Sequence, residues 1–144
     1  MLNRRLSLIT LILCLVLILG MVAYSADVEP FKVKLTLFER FIVLGLLPAE
    51  GSITTLKIVG DLQMELAPNE EEYQAAGLKD DLKTGGVSAE LGWDKVESKE
   101  ISFGVIAKAI IVDALTKLSE AEKLTMQQVS TYFKFIPAEE IKNE

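Results

Sequence analysis

Residues 6–26 form an unbroken run without a charged side chain, directly behind Arg4 and Arg5. This run divides the chain into an apolar leader and a separate polar body, and only the body can make a water-soluble core. A basic start, an aliphatic middle and small residues at Ala23, Ser25 and Ala26 have the layout of a secretory signal peptide. Cleavage after Ser25 suits the small-residue sites best, because cleavage after Ala26 puts bulky Tyr24 at the outer one. The run is also long enough to cross a bilayer uncleaved, with the arginines inside and Asp27 and Glu29 outside. Both readings export the body, to the periplasm or cell envelope or to its outer side on an anchor. Contact with the membrane is expected only through residues 1–26, if they stay attached. Cys14 does not indicate a lipoprotein, since Leu13 stands where a small residue is required.

The leader holds two of the 15 basic residues and none of the 21 acidic ones, leaving the body with a net charge of −8. A chain of this size supports one domain with one core. Its acidity disfavours nucleic acid and anionic lipid as partners. Cys14 is the sole cysteine, so the body has no disulfide and must hold together by packing. The sequence contains no histidine, which removes histidine-activated nucleophiles, histidine metal ligands and histidine pH switching. No cofactor or metal is expected.

The body reads as a single α+β domain, mostly α, over residues 35–137. An extended lead-in (27–34) precedes it and a flexible, charged tail (138–144) follows. Thr36 with Glu39 is a capping-box pattern that opens a first helix over 37–47, apolar on most sides and so largely buried. Pro48 and Gly51 end it. Ser52 opens a second helix carrying Ile53, Leu56, Val59, Leu62 and Leu66, closed by Pro68. Asn69 caps a third, whose first turn is Glu70, Glu71 and Glu72. Val87, Ala89, Leu91 and Trp93 alternate with polar or small residues, as do Ile101 and Phe103. This predicts a hairpin turning at 94–98. Residues 105–118 form a long central core helix with a narrow wet stripe at Lys108, Asp113 and Lys117. A second capping-box pattern, Thr125 with Gln128, opens a last helix with Val129, Tyr132, Phe133 and Ile136. Four to five helices and one hairpin result. With an extended piece at 52–54 the order is like that of a winged helix.

Three stretches carry a resemblance to known proteins: residues 47–51 (LPAEG), 55–62 (TLKIVGDL) and 71–73 (EEY). Trp93, residues 99–101 (KEI), the run 107–118 and residues 123–125 (KLT) extend it. Over about 34–136 the chain resembles small proteins of unassigned function found mainly in tailed-phage and prophage genomes, here with an added export leader. The resemblance implies an architecture and no site.

Several features could carry chemistry. The acids Glu70, Glu71, Glu72, Asp80 and Asp81 could hold a divalent cation, but they follow no ligand-loop spacing, and a dipole-stabilised helix start explains them. Carboxylates among Glu65, Glu90, Glu97 and Glu100 could serve glycan hydrolysis, which requires two about 5–10 Å apart in one groove. Gly85 and Gly86 lack a phosphate-binding fingerprint. A winged-helix order on a membrane anchor would permit DNA binding, but Lys57 and Lys79 are the only nearby cations. The leading expectation is a non-enzymatic protein-interaction module of the bacterial cell envelope, contacting a protein partner through Trp93, Tyr132 and Phe133. A carboxylate-dependent glycan hydrolase and an anchored DNA-binding domain are the alternatives.

Overall fold

The computed structural model describes residues 29–81 and 86–137. The expected leader over 1–26 and tail over 138–144 lie outside the described residues. The protein is α+β and mostly helical, with five helices and two small sheets among the described residues.

Alternation of Phe31, Val33 and Leu35 with Lys32 and Lys34 gives the first strand, β1 (Phe31–Leu35). Thr36 then caps α1 (Leu37–Leu46): its hydroxyl accepts from the Glu39 amide, and the Glu39 carboxylate accepts from the Thr36 amide. This is the expected capping box, and the helix it starts has scarcely an exposed side chain. Ser52 caps α2 (Ile53–Leu66). The extended piece expected at 52–54 is therefore the cap and first turn of that helix, because the Ser52 hydroxyl accepts from the Thr55 amide. Asn69 and Glu72 form a second reciprocal box at the start of α3 (Glu70–Ala76). Gly77 ends α3 in the left-handed conformation, φ +59°.

Strand pairing departs from the expected hairpin. The two predicted strands exist, but each pairs elsewhere. β2 (Leu78–Asp81) lies antiparallel to β3 (Gly86–Ala89), and β1 lies antiparallel to β4 (Lys99–Phe103). Leu91 and Trp93 fall outside both sheets; Trp93–Lys95 is a single 3-10 turn. Hairpin β2–β3 precedes the long helix, as expected of one hairpin, although its first strand was unforeseen. LKDD has a single apolar residue, so it offers no period-two signal. Within the expected lead-in, the described residues from Phe31 onward belong to β1, which is also the partner that β4 needs.

α4 (Val105–Glu120) is the long helix and α5 (Val129–Phe135) the last. α4 is less buried than its sequence implies. Only Ala107, Ile111 and Leu115 are buried, a single line at four-residue steps, while Val105 and Ile106 are exposed. The Thr125 box also acts differently. Its amide donates to the Gln128 carboxamide within a turn, and α5 begins only after Gln128.

The main core joins Leu35, Ile101 and Phe103 of the β1–β4 sheet to Val43, Leu62, Leu66, Ile111, Leu115 and Phe135 from four helices. Phe31, Phe103 and Phe135 make its aromatic centre, with ring centroids 5.2–6.4 Å apart. A second, smaller cluster gathers Leu37, Ala76 and Leu78 with Phe41, Val87 and Trp93. Helix α1 contributes to both clusters, Leu37 and Phe41 to one, Val43 and Leu44 to the other.

Candidate functional site

Two polar networks centred on largely buried groups hold the helices together. Arg40 is fully buried and makes a two-pronged ion pair with Glu72, at 2.7 and 3.1 Å. One Nη also reaches the Leu66 carbonyl at 3.5 Å. This pair ties α1 to α3. Burial raises the pKa of Glu72, but the Arg40 hydrogen bond and charge, the Asn69 amide and the charge of Lys99 outweigh it and hold the carboxyl below the ordinary glutamate range. Glu39 lies beneath α5 in a similar setting. It accepts from Ser130 Oγ at 2.7 Å, from Lys134 Nζ at 2.6 Å and from the Thr36 amide at 2.8 Å. Burial again pushes its pKa up, and these partners, Lys134 foremost, bring it below the ordinary value. Both carboxylates are spent on holding helices together.

A cleft of about 440 Å³ lies at the surface between α2 and the start of α4. Helical periodicity on α2 places Ile58 and Leu62 along its wall and Asp61 and Glu65 beside them. The other wall is Ser102 at the end of β4 and Gly104, Val105, Ile106 and Ala107. Val105 and Ile106 are 63% and 56% exposed, high for aliphatic side chains next to an apolar hollow. Neither the Asp61 nor the Glu65 carboxylate takes part in an ion pair among the described residues. Lys99 lies close by, and its ammonium donates to the Glu65 backbone carbonyl at 3.0 Å. Gly104 starts α4 with no side chain capping the first turn. Val105 also borders a second hollow of about 390 Å³, shared with Phe31, Phe103, Lys108 and Glu29.

The residues singled out from sequence are distributed as follows. Trp93 is half-buried, and its ring meets Phe38 and Phe41 edge-on at 5.2 and 5.5 Å, so it packs the second cluster. Tyr132 packs on the main core, and its neighbour Phe133 is half exposed at 5.7 Å between ring centroids. Trp93 and Tyr132 thus belong to different clusters, and Phe133 to neither. The four carboxylates considered for hydrolysis do not share a groove. Glu65 lines the main cleft, Glu97 a smaller hollow with Glu71 and Glu72, Glu90 pairs with Lys79 on the surface, and Glu100 is exposed on β4. In the acidic run, Glu70 accepts from Gln74 and Glu72 is taken by Arg40. No cluster of three or more acidic residues suited to a metal ion occurs among the described residues. Among them also, no helix is long and apolar enough to cross a membrane.

No protein-family model, no curated protein and no solved structure matches the chain.

The cleft was missed from sequence because Val105 and Ile106 extend the apolar run of α4 and read as core. Nothing local separates them, since Ile106, Ile110, Ala114 and Leu118 make a four-step apolar line as complete as the buried one of Ala107, Ile111 and Leu115.

Proposed function

We propose that this protein is a non-enzymatic interaction module of the bacterial cell envelope, docking a partner protein at the α2–α4 cleft. The observation carrying the proposal is the exposure of Val105 and Ile106 at the lip of an apolar hollow. Leaving such side chains more than half in water forgoes on the order of 1–2 kcal/mol each relative to burial, and a docked partner recovers it. The half-exposed Phe133 beside Tyr132 gives the surface a further apolar patch. The other two readings lack comparable support. Of the four carboxylates considered for hydrolysis, Glu65 and Glu97 line different hollows and Glu90 and Glu100 line neither, and the Lys79 that DNA would need is paired with Glu90. Delivery to the envelope rests on the apolar leader.

Two measurements on the full chain in cells test the proposal. A reporter fused after Glu144, active only outside the cytoplasm, is expected to be active. A photo-crosslinking residue at position 106 is expected to give a discrete protein adduct that the same residue at exposed Glu122 does not. Reporter activity confined to the cytoplasm would remove the envelope assignment. Equal labelling at the two positions, or none at 106, would remove the docking site.

A further inference from the structure

From the cleft's charge and shape we infer the chemistry of its occupant: a partner polypeptide segment with an aliphatic anchor side chain flanked by lysine or arginine. The inference rests on the docking reading above and adds partner identity to it. Ile58 and Leu62 offer an apolar wall to an aliphatic side chain. Asp61 and Glu65 stand beside them with carboxylates outside every ion pair of the described residues, in a domain whose body is already strongly acidic. An acidic rim next to an apolar hollow attracts cations and repels acidic partners, so it selects by charge and speeds encounter. Lys99, whose ammonium donates to the Glu65 backbone carbonyl at 3.0 Å, makes no ion pair with either carboxylate among the described residues. The opposite wall is the uncapped first turn of α4, whose amides can donate to backbone carbonyls. A polypeptide segment supplies all three complements at once, with side-chain hydrocarbon, a basic flank and main-chain carbonyls. A simple hydrocarbon supplies only the first.

The test uses the full chain in neutral detergent micelles and three fluorescent peptides of equal length. They share one leucine pair, flanked by lysine, serine or glutamate. Fluorescence anisotropy is read at low and high ionic strength, with empty micelles subtracted. The lysine peptide is expected to bind about tenfold tighter than the serine peptide, with the preference shrinking in high salt. The glutamate peptide is expected to bind weakest. Doubly reversing the rim (Asp61→Lys with Glu65→Lys) should abolish the lysine preference. The same charge change at exposed Glu120 and Glu122 should leave most of it, which separates the rim from net charge. Ile106→Glu should weaken all three peptides. Unchanged far-ultraviolet circular dichroism establishes that these surface variants fold. Equal binding of all three peptides, or equal effects of the two double reversals, would overturn the inferred chemistry. If none of the peptides binds but crosslinking at position 106 persists in cells, the partner chemistry is wrong and the docking site stands. If both are absent, the docking reading fails with it.

Discussion

Replacing Glu72 with glutamine leaves Arg40, fully buried, without its counter-charge. The substitution is nearly isosteric, and glutamine still suits the third position of a capping box, so the Asn69 cap survives. The amide oxygen can accept one of the two guanidinium bonds now made at 2.7 and 3.1 Å. What is lost is the charge. Breaking a buried ion pair on one side costs about 3–5 kcal/mol, and the retained hydrogen bond places Glu72→Gln near the lower end, about 3 kcal/mol. Arg40→Met should cost less, about 1–2 kcal/mol. Methionine fills irregular space, Arg40 Nε has no hydrogen-bond partner among the described residues to lose, and Glu72, 17% exposed, keeps water and its cap. The double variant buries neither charge, so it should resemble Arg40→Met alone. The coupling energy of the cycle is then about 3 kcal/mol. Urea unfolding of residues 27–144 at neutral pH, followed by circular dichroism and Trp93 fluorescence, measures it, with the slope expected to stay constant. Typical stabilities of about 5–15 kcal/mol leave every variant measurable. A coupling below about 1 kcal/mol would refute the reasoning, because the pair would then be no stronger than an exposed one.

Glu39 and Glu72 both titrate below the ordinary glutamate value in the folded protein, so each adds stability that is full above the unfolded chain's value and drains away as pH falls through the folded one. Urea midpoints should be level from about pH 7 to 5.5 and fall below about pH 4.5, and the decline should flatten in a Glu39→Gln, Glu72→Gln double variant; an acid limb unchanged by that variant would contradict the assignment. Gly77→Ala should destabilise by about 1–2 kcal/mol, since φ is +59° and a new Cβ would lie 2.9 Å from Leu91 Cγ, whereas Gly60→Ala, inside α2 with nothing within 4 Å, should stabilise by up to about 1 kcal/mol; thermal or urea unfolding giving both the same sign would contradict the geometry.

The starts of α1, α2 and α3 were legible because the atoms that fix them are three residues apart, whereas the same pattern at Thr125 and Gln128 closes a turn ahead of α5. Thr36 with Glu39 and Asn69 with Glu72 make the reciprocal bonds their sequence pattern requires. Strand pairing was legible only in part. Phe31, Val33 and Leu35 alternate with lysines clearly enough to mark a strand, yet nothing local says that its partner is Lys99–Phe103 rather than a neighbour. The buried ion pair was hidden for the same reason. Arg40 and Glu72 each look like ordinary surface charges until α1 and α3 are packed together. The candidate site was least legible of all, since its apolar lip is indistinguishable in sequence from the core helix it begins.

The sequence by itself determined the apolar N-terminal run, the acidic body, the starts of α1, α2 and α3 and the mostly helical α+β class, because caps, breakers and hydrophobic period act over one or two turns of chain. Tertiary structure alone decided which strands pair, which charges are buried and which aliphatic side chains remain in water. Those outcomes depend on how distant apolar faces share a single core, and α4 has more apolar surface than that core can cover. Part of that surplus is Val105 and Ile106, which stay more than half exposed beside the α2–α4 cleft.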